Sequence, residues 1–204
     1  MSSRKVTYIQ HSGCSGGGNR IVTVTKHFSG SGSVQQMMAI PSLTPVVTYP
    51  SSGSGGGASS SSFDAAVLAE HNQLRAKHSA APLTLDSTLS SCAQEWANNI
   101  ASRNCMQHRP NNRYGENIYA SFGRTNVSGE EVVRSWYNEI KDYRFGQANP
   151  SNFSQVGHFT QVVWKSSTKL GVGIAKNGTN VYVVCNYGPP GNFSGQYPAN
   201  VTRS

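Results

Sequence analysis

Four residues of this chain have the types and placement to do chemistry together: His108, Glu116, Glu139 and His158. Glu139 is the most informative. It follows Trp136 by three residues and Val132 by seven, spacings that put it on the apolar stripe of a helix. A carboxylate there needs a hydrogen-bonding, cationic or metal partner, because unpaired burial raises its pKa or costs roughly several kcal/mol. His158 lies in Gly157-His-Phe-Thr-Gln-Val-Val-Trp164 and opens an apolar run, Phe159–Trp164, that reads as a strand. His108 precedes the loop Arg109–Tyr114, and Glu116 shares a strand face with Ile118. Neutral imidazoles suit Zn2+, and neighbouring carboxylates can accept the second ring N–H, fix the tautomer or hold a water. Two readings fit: a structural hydrogen-bonding network, or a metal site with His108 and His158 as the nitrogen ligands. Neither requires catalysis.

Signals for an enzyme are otherwise poor. There is no His-Glu-x-x-His helix, and the Gly-x-Ser-x-Gly match at Gly13–Gly17 lies in a low-complexity tract without the strand and helix of a nucleophile elbow. A metal-dependent hydrolase using Glu116 or Glu139 as general base stays open as an alternative. The other histidines, His11, His27, His71 and His78, receive no role.

The elements that must position these residues begin at Phe63. A first helix runs from Phe63 to about His78, with Phe63, Val67, His71 and Leu74 on one stripe. Pro82 ends it, and Asp86 caps a second helix carrying Leu89, Ala93, Trp96 and Ile100. Ser128-Gly-Glu-Glu131 matches a capping box opening a third helix that continues to about Lys141. Strands are expected at Glu116–Ser121, Phe159–Trp164, Gly171–Lys176 and Val181–Tyr187, the last two joined through the hairpin signal Asn177-Gly178. Strands apolar on both faces call for helices on both sides of the sheet.

Upstream, residues 1–62 contain no Asp or Glu and are crowded with Gly and Ser, a composition that reads as a basic, disordered tail. Its one apolar stretch, Val34–Tyr49, is interrupted by Pro41 and Pro45 and suits an extended docking segment. The net charge of +8 is scattered rather than interleaved with stacking aromatics, which argues against nucleic acid and leaves two readings, a merely soluble basic protein or one attracted to an anionic membrane surface. Met1-Ser-Ser-Arg-Lys lacks the apolar core of a signal peptide, no run reaches membrane-spanning length, and Ser2 excludes N-myristoylation. Cys14 is either an idle thiol or a palmitoylation site. With four cysteines, at 14, 92, 105 and 185, the three beyond the tail cannot all pair with one another, which favours a reducing compartment. Against this stand five Asn-x-Ser/Thr sequons, at Asn126, Asn152, Asn177, Asn192 and Asn200.

Gly157–Trp164 and the later Tyr182-Val-Val-Cys-Asn-Tyr-Gly-Pro-Pro-Gly-Asn-Phe193 resemble the two diagnostic motifs of the superfamily of cysteine-rich secretory proteins, antigen 5 and pathogenesis-related 1 proteins (the CAP superfamily, built on the SCP domain). The resemblance covers Phe63 to Val201 and implies an α+β fold, a three-layer α-β-α sandwich with a mostly antiparallel central sheet, so that 63–204 is one CAP domain. It also implies a central cleft lined by His108, Glu116, Glu139 and His158, where some relatives bind a divalent metal through the histidines. In sterol-binding relatives an aromatic loop forms the lipid groove, and Tyr143, Phe145 and Phe153 in Lys141–Phe153 stand in similar places; the alternative is that these rings pack under their own loop. The resulting expectation is a non-catalytic binding protein for sterol or another lipid, with possible Zn2+ in the cleft and a protein-interaction scaffold as a further alternative. A homodimer is left open. The chain resembles the signal-less, Golgi-associated branch, implying an intracellular peripheral membrane protein, while Cys185-Asn-Tyr187 looks like the secreted branch and implies an extracellular one.

Overall fold

The computed structural model describes residues 6–10, 24–28 and 57–203. Strands β1 (Val6–Gln10) and β2 (Val24–Phe28) pair antiparallel. The rest of the expected tail, with Cys14 and the apolar stretch 34–49, lies outside the described residues. Helix α1 (Gly57–Lys77) starts ahead of the Phe63 boundary expected from periodicity.

From there the order is β3 (Thr84–Leu85), α2 (Ser87–Ser102), β4 (Gly115–Ser121), α3 (Gly129–Tyr137), a 3-10 turn (Asn138–Asp142), α4 (Phe153–Val162), β5 (Lys169–Asn177), β6 (Asn180–Gly188) and α5 (Tyr197–Asn200). The sheet runs β3-β5-β6-β4, with β3 parallel to β5 and the other two ladders antiparallel. It is therefore mixed, with the antiparallel part dominant.

Both expected helix caps form. Asp86 Oδ1 accepts from the Leu89 N–H at 3.0 Å, and Ser128 Oγ accepts from the Glu131 N–H at 3.2 Å. The β5–β6 hairpin turns at Gly178, whose φ of +57° is the left-handed conformation glycine adopts without penalty.

Alternation along β6 builds two cores. Val181, Val183, Cys185 and Tyr187 face a layer made by α1, α3 and α4, while Tyr182 and Val184 face α2 with Ile118, Ala93, Trp96, Ala97 and Ile100. The result is a three-layer α-β-α sandwich. On β5, a Cβ at Gly171 would sit 2.1 Å from the Leu89 carbonyl carbon and one at Gly173 2.3 Å from the Gln94 nitrogen, so α2 lies directly on the strand backbone. The closeness has a purpose. Because β3 pairs with β5 only at Lys169 and Leu170, the outer edge of β5 would be left open, and α2 closes it: Ser90 Oγ accepts from Val172 N–H (3.3 Å), Gln94 Oε1 accepts from Ile174 N–H (3.1 Å), and Gln94 Nε2 donates to Ile174 O (2.8 Å).

Two sequence expectations are corrected. Phe159–Trp164 is not a strand: Phe159 to Val162 complete α4, which buries Phe153, Val156, Gly157, His158, Phe159, Thr160, Gln161 and Val162. A helix enclosed on nearly all sides shows no polar stripe, and its apolar, β-branched run then imitates a buried strand. The third helix stops at Tyr137 instead of continuing to Lys141, so Glu139 sits in the 3-10 turn.

Cys105 is disulfide-bonded, and Cys92 and Cys185 carry free thiols. Complete burial pushes the Cys185 thiol well up, which keeps it protonated and inert. Among the described residues no helix is long and apolar enough to cross a membrane.

Candidate functional site

Each histidine of the predicted set is held by one of the glutamates. His108 Nδ1 donates to Glu116 Oε1 at 2.6 Å, and His158 Nδ1 donates to Glu139 Oε1 at 2.7 Å. Both carboxylates are themselves fixed. Glu116 accepts from the Arg109 N–H (3.0 Å) and from Asn112 Nδ2 (3.1 Å), and its side chain is 1% exposed. Glu139 Oε2 accepts two backbone N–H groups inside α4, from His158 at 3.0 Å and Phe159 at 3.1 Å. Glu139 thus grips α4 from another element, and it orients the imidazole and the backbone of the same residue at once.

The tautomer follows from the acceptors. An ionised carboxylate only accepts hydrogen bonds, so in each ring the proton sits on Nδ1 and the lone pair of the neutral imidazole is on Nε2. A carboxylate behind the imidazole is the arrangement that prepares a histidine to ligate a metal through its other nitrogen. Among the described residues no three His, Cys, Asp or Glu side chains converge as a ready metal cluster.

Strand β4 joins the two pairs. Glu116 and Asn117 are consecutive, so Glu116 faces the α2 side with Ile118 while Asn117 faces the α4 side. Asn117 Nδ2 donates to the carbonyl of His158 and to the Tyr187 hydroxyl, each at 3.1 Å. The Tyr187 hydroxyl lies 2.8 Å from His71 Nε2, and His71 Nδ1 lies 2.8 Å from Val67 O. Since a carbonyl only accepts, Nδ1 carries the His71 proton and Nε2 accepts from Tyr187. Burial pushes the His71 pKa down to about 4, which keeps this ring neutral, and pushes the Tyr187 phenol well up. The Trp136 ring stacks against His158 at 6.2 Å, and its Nε1 donates to Ile118 O at 3.2 Å, a second tie to β4.

Asn117, Tyr187, His71 and Arg75 are the residues that sequence reasoning missed. Asn117 was legible only as the strand neighbour of Glu116. His71 and Arg75 lie on α1 and meet partners far along the chain, which no local spacing encodes. Fully buried Arg75 donates to four carbonyls, of Ala81, Val162, Trp164 and Ser167, all at 2.9 Å, and so closes the C-terminal end of α4 with a positive charge. Desolvation lowers its pKa to about 10, which leaves it charged at neutral pH.

The aromatic loop turns inward. Tyr143 and Phe153 are 6% and 8% exposed and Phe145 is half-buried; Tyr143 meets Phe145 edge-on at 4.9 Å and Phe159 at 5.4 Å. His78, which contacts Thr202 O and Tyr137 Oη, stacks on Phe145, while Arg203 lies over the same ring.

This architecture has counterparts. The model of the cysteine-rich secretory protein family matches residues 68–187. The Golgi-associated plant pathogenesis-related protein 1 of Homo sapiens is 41% identical over 143 residues, covering 67% of this chain and 89% of the relative. Secreted protein RBT4 of Candida albicans is 34% identical, and there the match covers 78% of this chain but 46% of the relative. Among solved structures, that of NaASP2 with Zn2+ superposes with a TM-score of 0.57 at 28% identity, covering 70% of this chain and 87% of that one. The chain belongs to the cysteine-rich secretory protein family.

Proposed function

We propose that this chain is a non-catalytic binding protein that takes a divalent cation of the Zn2+ class at Nε2 of His108 and His158. The observation that carries this reading is the pairing of each imidazole Nδ1 with a carboxylate that backbone N–H groups hold in place. Glu116 and Glu139 are then the residues that fix the tautomer and orient the ligands, and the bound ion would supply a Lewis-acidic centre for a further ligand. The Zn2+ in the NaASP2 structure, on a chain 28% identical, supports the choice of ion.

The same hydrogen bonds weigh against hydrolysis. Each carboxylate already accepts three hydrogen bonds, and a general base must aim a lone pair at a water or substrate proton. Binding of a sterol or other lipid by Tyr143, Phe145 and Phe153 finds less support in this geometry, because the rings face the core and expose little apolar surface to a ligand. For location, the relatives lead in two directions, one Golgi-associated and one secreted.

Calorimetric titration of the full chain with Zn2+ tests the reading. Wild type is expected to bind, and the double variant His108→Ala with His158→Ala is expected to lose binding by at least about tenfold while staying folded. Equal binding by both places the ion elsewhere, and no binding by wild type overturns the proposal.

A further inference from the structure

The fold sorts the five Asn-x-Ser/Thr sequons by what their side-chain amides already do. Asn200 is 5% exposed; its Oδ1 accepts from Ser166 N–H (3.0 Å) and Ser166 Oγ (2.7 Å), and its Nδ2 donates to Gln196 O (3.0 Å). Asn192 is half-buried beside the site helix, donating to Gly157 O (2.9 Å) and accepting from Thr160 Oγ1 (2.6 Å). Asn177 is exposed, but its Nδ2 donates to Ala101 O (2.8 Å) and ties the β5–β6 hairpin to the end of α2. Asn152, half-buried at the N-cap position of α4, donates to Asp142 O (3.0 Å). In each of the four, the nitrogen that would carry a glycan is a structural donor.

Asn126 differs in what its amide does. It is exposed in the loop between β4 and α3, and its amide makes no hydrogen bond among the described residues; its backbone carbonyl accepts from Arg124 Nε at 2.8 Å, which shapes the loop without engaging the side chain. The middle residue is Val127, not proline, and packs against the core. The hydroxyl residue, Ser128, is exposed; its oxygen accepts from Glu131 N–H as the cap of α3, and its O–H donates to the carboxylate of Glu130 at the surface.

We infer that Asn126 is the N-glycan acceptor of this chain when the chain is in the lumen of the secretory pathway. The co-reactant is an oligosaccharide on a lipid pyrophosphate. Asn126 Nδ2 forms a bond to the anomeric carbon, the bond from that carbon to the pyrophosphate oxygen breaks, the lipid pyrophosphate leaves with the electron pair, and one amide proton passes to solvent. The step is redox-neutral. The other four sequons are structural asparagines: a glycan at buried Asn200 or beside the site helix at Asn192 has no room in the packed state. This inference is independent of the cation site.

The test is expression of the full chain behind a cleavable secretory leader in a eukaryotic host. Enzymatic glycan release in heavy-oxygen water then marks each occupied asparagine as labelled aspartate, and peptide mass spectrometry reads all five positions. The expected result is label at Asn126 in most molecules of the soluble, folded protein and none at Asn192 or Asn200. Asn126→Gln should remove the mobility shift and leave the melting temperature of the deglycosylated protein unchanged. Asn200→Gln should do the reverse, lowering the melting temperature at constant mobility. An unoccupied Asn126, or any of the other four occupied more fully than Asn126 in the folded fraction, overturns the assignment.

Discussion

Asn117 holds His158 by its backbone: the amide nitrogen of Asn117 donates to the His158 carbonyl at 3.1 Å while the same nitrogen reaches the Tyr187 hydroxyl. Through Tyr187 and His71 this bond connects the site histidine to α1. Removing the buried amide with Asn117→Ala leaves two polar groups short of a partner and is expected to destabilise the fold by about 1–3 kcal/mol. Packing alone would lower only the melting temperature. A positioning role also weakens Zn2+ binding in the fraction that remains folded and shifts the ring nitrogen signals of His158 in NMR spectra. Unchanged ring signals in a folded Asn117→Ala protein would reduce the residue to a packing element.

The buried neutral His71 makes stability depend on pH. Its pKa is lowered from the ordinary 6.5 to about 4 by desolvation, so between these values the unfolded chain binds a proton that the folded chain refuses. Its contribution is therefore complete above about pH 6.5 and is lost as pH falls through about 4. The difference corresponds to about 3 kcal/mol. Burial lowers the pKa of His78 as well, in the same direction. Urea unfolding from pH 7 to pH 4 should show stability falling with acidity in wild type and a visibly shallower slope in His71→Gln. An identical slope in the two proteins would show that His71 is not the group responsible.

Arg75 is expected to be among the least replaceable residues of the domain. Arg75→Met leaves the buried carbonyls of Val162, Trp164 and Ser167 and the part-buried one of Ala81 without their donor, a loss of more than about 3 kcal/mol. Arg75→Lys should not rescue it, since an ammonium on a flexible stem cannot reach four carbonyls spread over a planar fork. Thermal melting decides: a lysine variant as stable as wild type would mean that charge, rather than the fork, closes the end of α4.

How much of this was legible beforehand depended on whether an element kept a wet face. Helices α2 and α3 each expose one side, so apolar spacing and a capping residue located them, and Asp86 and Ser128 are the caps found. Strands β5 and β6 announced themselves through β-branched runs about a glycine turn. Helix α4 has almost no wet face, and its run from Phe159 therefore read as a strand. The site shows the same division. Glu139 was legible as a carboxylate among apolar neighbours that needed a partner, yet that the partner is the backbone and ring of His158 depends on a contact between elements nineteen residues apart.

The loop rings give the last and sharpest test, because Tyr143 and Phe153 lie in the core instead of facing a ligand. Phe153→Ala should cost about 3–5 kcal/mol, as for other buried phenylalanines, whereas Phe145→Ala, half-exposed under Arg203, should cost about 1–2 kcal/mol. Tyr143→Phe goes the other way. Its buried hydroxyl has no hydrogen-bond partner among the described residues, and burial pushes its pKa up to about 12, so deleting the oxygen should be neutral or stabilise by about 1 kcal/mol. Thermal melting and cholesterol binding measured on the three variants separate packing from ligand contact. If the Tyr143, Phe145 and Phe153 rings serve only the core, cholesterol binding is absent in wild type or unaffected by Phe145→Ala. If the loop opens in solution to take a lipid, Phe153→Ala leaves stability nearly unchanged and abolishes binding, because the ring that fills the core here would be the ring the lipid covers.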